Sequence, residues 1–245
     1  PRDGLSIGAP AFLDPHHGFI TMGCSILRVD NLAMKSSLQT QSGLPVSVEN
    51  DANCVLLAER WQGKAAEMAN FLVLTIGTGI GGAIFCQHQL IHGARFRAGE
   101  FGYMLTDRPG GRDPRRYSMN ENCTLRVLRH RYAEHIGAPL DSVTGELIFD
   151  RYDAGDPVCQ RLVAEFFNGL GHGLYNLVHI FDPQTIFIGG GVVERPGFLT
   201  LLRQHLAWFG IADYLDTVSH GNDAGLIGAV YHFNQHYRSP GDDRH

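Results

Sequence analysis

The reactive residue types of this chain gather in three stretches. The first is Gly77-Thr78-Gly79-Ile80-Gly81-Gly82, flanked by the β-favouring runs 71–76 and 83–86. Glycine tolerates positive φ and has no Cβ, so a turn of this composition can bring backbone N–H groups up to an anion. Thr78 adds a hydroxyl donor at the tip. The functional reading is a phosphate cradle; the plainer one is a glycine-rich hairpin that holds no ligand. The second stretch is Glu49-Asn50-Asp51, which ends the apolar run Pro45-Val46-Ser47-Val48 and precedes a helical pattern. Polar groups at the end of a buried strand, next to a helix start, sit where α/β proteins bind ligands. Asn50 or Asp51 could serve as a helix cap, but two such groups in succession plus Glu49 exceed what a cap requires. The third is Arg97-Ala98-Gly99-Glu100-Phe101-Gly102-Tyr103, where small residues would let a ligand approach a carboxylate and a phenol. Taken alone, it reads as a charged loop.

Gly77, Gly79 and Gly82 also spell G-x-G-x-x-G. A dinucleotide fingerprint must open a helix, whose N-terminus holds the pyrophosphate. Here Ala83-Ile84-Phe85-Cys86 resumes a strand, and no Gly-Lys-Ser/Thr follows, so neither that motif nor a P-loop fits. Strand, glycine turn and strand together match the phosphate hairpin of the actin and hexokinase type.

The elements that must position these groups follow from pattern. Residues 5–10 and 19–21 read as short strands, with a solvated turn at Asp14-Pro15-His16-His17-Gly18 between them. A short helix spans 32–40, a buried strand 45–48, and a helix runs from Asn50-Asp51 to Gly63. A third strand and turn are expected at 89–94, and a solvated Pro/Gly-rich loop at 106–118. Asn120 is expected to cap a helix that ends at Gly137, with His130 and His135 on the surface. A helix follows at about 145–152. Asp156-Pro157 then opens a long helix, whose Gly169, Gly171 and Gly173 suggest close backbone packing. A central strand at 185–188 runs into Gly189-Gly190-Gly191, a flat surface suited to a planar ring. Then come a helix at 198–208, a strand at 216–219 and a helix from Asp223, with a disordered tail after Tyr237.

Composition excludes several classes. At 245 residues, 44% hydrophobic and 18% charged, the chain can bury real cores and is not a disordered segment. Its net charge of −5 argues against nucleic acid or an anionic membrane as partner. Five cysteines, Cys24, Cys54, Cys86, Cys123 and Cys159, stand far apart with no C-x-x-C, as reduced thiols of a cytoplasmic protein would. No apolar run approaches the ~18 residues of a membrane span.

Five segments, taken in order, resemble one family. Val48-Glu49-Asn50-Asp51-Ala52-Asn53, the 77–82 turn, Ala98-Gly99-Glu100-Phe101-Gly102, Gly189-Gly190-Gly191 and Asp223-Ala224-Gly225-Leu226-Ile227-Gly228-Ala229 together are similar to the ROK family of sugar kinases and repressors. The resemblance implies an α/β fold of the actin-like ATPase (ribonuclease H-like) kind with two lobes. Residues 1–66 plus 222–238 would form the smaller lobe that bears the sugar and the base, and 67–221 the larger nucleotide-binding lobe. The family's leading Asp-x-Gly-Gly-Thr hairpin is not in this sequence, which implies a first lobe incomplete at its N-terminus. It further implies Asp51 as catalytic base, Asn50, Glu100 and Tyr103 at the sugar, Gly77, Thr78 and Gly79 at the phosphates, and Gly189, Gly190 and Gly191 facing adenosine.

The implied reaction is ATP- and Mg²⁺-dependent phosphorylation of a sugar hydroxyl, at C6 of a β-glucoside such as a cellobiose-like disaccharide or an aryl β-glucoside. A cytoplasmic homodimer is implied as well. Glucose, another hexose or an N-acylhexosamine is the alternative substrate within the family, and a sugar-responsive repressor is the alternative of another class. Most of the family carries a zinc site made from C-x-C-G-x-x-G-C and a histidine. Tyr103 stands at the histidine position and only Cys123 lies in the matching region, so no structural zinc is expected.

Overall fold

The computed structural model describes residues 3–23 and 29–237. Cys24 and the tail beyond Tyr237 lie outside the described residues. The elements in chain order are β1 (Leu5–Ala9), β2 (Ala11–Asp14), β3 (Phe19–Gly23), β4 (Leu32–Ala33), α1 (Met34–Ser42), β5 (Val46–Asn50), α2 (Asp51–Gln62), β6 (Phe71–Ile76), β7 (Ile80–Cys86) and β8 (Gln89–Leu90). They continue with α3 (Met119–Asn122), α4 (Leu125–Ile136), α5 (Gly145–Asp153), α6 (Pro157–Phe181), β9 (Thr185–Gly189), α7 (Phe198–Leu206), β10 (Leu215–Thr217) and α8 (Ala224–Tyr237). The chain divides into two compact units. One comprises Pro1–Ala69, Ala83–Gly99 and Val218–His245; the other comprises Asn70–Gly82 and Glu100–Thr217. Residues 83–99 thus group with the first unit, and the division falls inside β7.

In the first unit, β1 and β5 pair in parallel from Leu5↔Val46 to Ala9↔Asn50. The antiparallel strands β2, β3 and β4 stand beside one core formed by Ala9, Ala11, Leu13, Ile20, Val46 and Val48. Ser47 and Glu49 alternate with the valines on β5 and are buried as well, at 2% and 1% exposure. α8 packs closely on α2: a Cβ at Gly228 would fall 1.6 Å from the carbonyl oxygen of Cys54, so only glycine allows this approach. Glu59, fully buried on α2, accepts hydrogen bonds from the backbone N–H and hydroxyl of Ser219 and from the N–H of Lys64. This carboxylate clamps the segment that leads into α8. On α8 the buried positions are Ala224, Gly228, Ala229 and His232, while Leu226 and Val230 are exposed.

In the second unit, β10, β9 and β6 run parallel with β9 in the middle, in registers Leu215↔Ile186 and Phe71↔Thr185. All four residues of β6 from Phe71 to Leu74 are buried, as are Ile186, Phe187 and Ile188, the continuous apolar run of a strand covered on both faces. α6 starts as its sequence demands. Asp156 accepts from the N–H groups of Val158 and Cys159, and Pro157 takes the first helical position. Its glycines serve packing: a Cβ at Gly171 would meet Phe209 at 2.4 Å and one at Gly173 would meet the Met119 sulfur at 2.4 Å. A Cβ at Gly169 would lie 3.0 Å from the Cys123 Cβ.

Several local expectations change. The helix expected at 32–40 is Met34–Ser42, closed by left-handed Gly43, and the strand expected at 89–94 is only Gln89–Leu90. Thr124, not Asn120, caps α4, through its hydroxyl and the N–H of Val127. Loop 106–118 is mostly exposed, with Arg115 paired to Asp113. Its ends are tied by the Thr106 N–H to the Tyr117 carbonyl. Among the described residues no helix is long and apolar enough to cross a membrane.

Candidate active site

In the first unit, the acidic corner sits where β5 becomes α2. Asn50 leaves the strand in extended geometry, and its side-chain oxygen accepts from the N–H groups of Ala52 and Asn53 at 2.9 and 3.1 Å. Asn50 is therefore the helix cap, and its amide nitrogen donates to the Ala11 carbonyl at 3.3 Å. Capping fixes Asn50 and leaves Asp51, at the first helical position, exposed. Loss of water around Asp51 raises its carboxyl above the ordinary aspartate range, and the hydrogen bond from the Ala52 N–H pulls the other way. A carboxylate at a helix start that still reaches solvent, yet is partly stripped of water by the atoms packed around it, can serve as a proton acceptor.

Directly behind it lies Glu49. Its carboxylate accepts from the Asn50 N–H at 2.7 Å and from the Asn53 side chain at 2.9 Å. It also meets His92 Nε2 at 2.8 Å and His232 Nε2 at 3.7 Å. Burial alone would raise this carboxyl, but the His92 hydrogen bond and charge, the Asn53 amide and His232 together hold it below the usual glutamate value. His232 is pushed down to about 4 by burial, against the pull of Glu49. Neither histidine carries a local signature of this role, because each lies on an element remote in the chain from β5.

In the second unit, the turn between β6 and β7 is shorter than the expected 77–82: it spans 77–79, and Ile80, Gly81 and Gly82 already belong to β7, a strand, so the dinucleotide motif does not apply. The Gly77 N–H donates to the Gly79 carbonyl at 2.9 Å and the Leu125 N–H donates to the Gly77 carbonyl at 3.2 Å. Thr78 and Gly79 are exposed, and their N–H groups donate to nothing among the described residues. The brace beneath the turn is Asn120, whose Oδ1 accepts from the Ile80 N–H at 2.8 Å. A Cβ at Gly102 would lie 2.5 Å from both polar atoms of Asn120 and from the Ile80 carbonyl, which explains that glycine. Gly102 thus packs directly against Asn120, the residue expected from the sequence to cap a helix. Glu100 itself is half-buried and Tyr103 is 53% exposed.

Gly189 ends β9 beside Thr75 of β6, so Gly189-Gly190-Gly191 and the 77–79 turn follow neighbouring parallel strands. Gly190 has φ 105°, and a Cβ there would meet the Ile76 carbonyl oxygen at 2.1 Å. Around Gly191 the space is open. Two glycine segments at the C-terminal ends of adjacent parallel strands form the usual binding edge of an α/β sheet. They fit a nucleotide: bare N–H donors for phosphate at one segment, an unobstructed backbone surface at the other. Cys123 is buried and donates to the Met119 carbonyl at 3.2 Å; burial pushes its thiol up to about 12, so it stays protonated. Among the described residues no group of three or more His, Cys, Asp or Glu side chains is placed to hold a metal ion.

Comparison with known proteins fits this geometry. A beta-glucoside kinase of Klebsiella pneumoniae is 91% identical over 243 residues, 99% of this chain and 82% of that protein. A beta-glucoside kinase of Listeria innocua is 54% identical over 95% of the chain and 79% of its own length. The solved structure of the Lmo2764 protein from Listeria monocytogenes, described as a candidate N-acetylmannosamine kinase, superposes with a TM-score of 0.90 at 53% identity, over 95% of this chain and 80% of that one. The ROK family model matches residues 2–236, and the chain belongs to the ROK family.

Proposed function

We propose that the protein is an ATP-dependent kinase that phosphorylates the C6 hydroxyl of β-glucosides, with Asp51 as general base. The observation that carries the phosphoryl-transfer reading is the pair of glycine segments on neighbouring strands, with unengaged N–H groups at Thr78 and Gly79. The choice of a β-glucoside over glucose or an N-acylhexosamine rests on the likeness to beta-glucoside kinases at 91% and 54% identity.

In this reading Glu100, Tyr103 and the remaining amide N–H of the capping Asn50 hold the sugar. The N–H groups of Thr78 and Gly79 and the Thr78 hydroxyl hold the β- and γ-phosphates, with Gly77 shaping the turn. Gly189, Gly190 and Gly191 face the adenosine. Asp51 takes the proton of the attacking hydroxyl as its oxygen bonds to the γ-phosphorus, and ADP leaves with the electrons of the broken P–O bond. Mg²⁺ carried by the nucleotide would supply charge neutralisation at the phosphates. Raising the Asp51 pKa makes it a better proton acceptor than a fully hydrated aspartate. Positioning dominates such a loose transition state, which suits a capped helix start and a braced turn. The smaller lobe would be 1–66 plus 222–238 and the larger 67–221, in a cytoplasmic homodimer without nucleic-acid partners.

The test is coupled ATP turnover on cellobiose, salicin and glucose, with the phosphorylated carbon assigned by NMR. The reading expects 6-phosphates and a higher kcat/KM for both β-glucosides. A clear preference for free glucose overturns the substrate assignment and leaves a hexokinase.

A further inference from the structure

Glu49 does more than fill a core position. A carboxylate at 1% exposure is retained only where its charge is paired and its lone pairs are filled. Here one oxygen takes the Asn50 N–H and the Asn53 amide, and the other takes His92. The first contact holds the peptide that opens the Asn50–Asp51 corner, and the second holds the first turn of α2. The third reaches a different segment. The His92 carbonyl accepts the Ala98 N–H at 3.1 Å, which closes the loop 93–98 immediately before Gly99 and Glu100. Gly93 makes that closure with φ 76°, and Phe96 packs edge-on against the His92 ring. The Ala98 Cβ lies 3.2 Å and its backbone nitrogen 3.3 Å from the Cβ that any other residue would bring to position 93. One carboxylate and one imidazole therefore connect the backbone of the base to the loop that delivers Glu100.

We propose that Glu49 and His92 are positioning residues. The Glu49 carboxylate, tethered by the His92 imidazole, fixes the Asn50–Asp51 corner and, through the same histidine, sets the loop leading to Glu100. The proposal rests on the kinase reading and extends it to two residues that touch neither sugar nor nucleotide. Bound charge here acts through geometry: a misplacement of about 1 Å at a reacting group can cost on the order of 10²-fold in rate.

The experiment uses the full chain and compares the unsubstituted protein with Asp51→Asn, His92→Ala, His92→Gln, Glu49→Gln and the Glu49→Gln/His92→Ala pair. Turnover is measured on cellobiose and sugar binding by calorimetry. His92→Ala is expected to lower kcat roughly ten- to hundredfold, with the KM for ATP unchanged and Tm within a few degrees. His92→Gln keeps an N–H donor toward Glu49 and is expected to restore kcat to within about threefold. The paired variant should lose no more than the worse single one, because both act through one contact. Should Glu49→Gln not fold, the half-exposed His92 variants carry the test alone. A His92→Ala kcat within twofold of the unsubstituted chain overturns the proposal. So does an equal loss in His92→Ala and His92→Gln that follows Tm. If the unsubstituted chain neither binds nor turns over any β-glucoside, the kinase reading falls first and the positioning role falls with it. Turnover that is present and abolished by Asp51→Asn keeps that reading, and the His92 result then judges the proposal alone.

Discussion

The acidic corner at Glu49, Asn50 and Asp51 and the glycine turn at Gly77, Thr78 and Gly79 are organised by opposite means. The corner is built on side chains. A buried carboxylate collects an N–H, an amide and an imidazole, and an asparagine caps the helix that carries Asp51, the proposed base. The turn is built on backbone. Its shape comes from missing Cβ atoms and from a single amide, Asn120, that accepts the Ile80 N–H. A proton acceptor needs a tuned and oriented charge, which only side chains and their partners supply. An anion cradle needs bare N–H groups on an accessible chain, which side chains would obstruct. Substitutions should therefore act on chemistry in the first region and on nucleotide binding in the second.

The largest effect is expected at the corner. Asp51→Ala removes the proton acceptor and should lower kcat by roughly 10²- to 10⁴-fold with little change in Tm, read by coupled turnover and calorimetry. Just after β9, the strand beside the turn, Gly190→Ala must place a Cβ 2.1 Å from the Ile76 carbonyl at φ 105°. It should cost about 3 kcal/mol in a urea titration, an effect on the fold rather than on chemistry.

Acid separates the two regions again. His232 faces Glu49, His92, His236 and Lys35, and burial lowers it from 6.5 to about 4. It is neutral in the native state, while the unfolded chain takes up the proton near 6.5. Native stability contributed there is complete above pH 6.5 and is lost as pH falls towards 4, up to about 3 kcal/mol. Glu49, held below its usual value, acts in the same direction at still lower pH. Urea midpoints at pH 7.5, 6 and 5 should fall in that order, and His232→Leu should flatten the trend. The smallest effect is expected from Asn120→Ala, which leaves the Ile80 N–H unpaired. It should raise the KM for ATP about tenfold and leave sugar affinity unchanged, as steady-state kinetics would show.

The legible parts of the molecule were those whose cause is local. The strand, glycine turn and strand at 71–86, the Asp156-Pro157 helix start, the close-packed glycines of α6 and the strand entering Gly189-Gly190-Gly191 each follow from a few neighbouring residues. So does the Asn50 cap, which was visible as an alternative to a ligand role. The missed features depend on partners that meet only after folding. His92 reaches Glu49 from the loop after β8 and His232 from α8, 43 and 183 positions away. Asn120 looked like a cap because Asn before a helical pattern usually is one, yet Thr124 had the better place and Asn120 turned to the glycine turn. The grouping of residues 83–99 with the first unit also has no local signature, since β7 is an unbroken apolar run.

The most direct test of the account is the isosteric exchange Asp51→Asn, followed by both cellobiose turnover and calorimetric cellobiose binding. An amide of the same shape cannot accept the hydroxyl proton but can keep its hydrogen bonds. The account predicts turnover lowered at least about 10²-fold with sugar affinity within a few-fold of the unsubstituted chain. Retained turnover, or a loss of turnover matched by an equal loss of binding, would contradict Asp51 as the base.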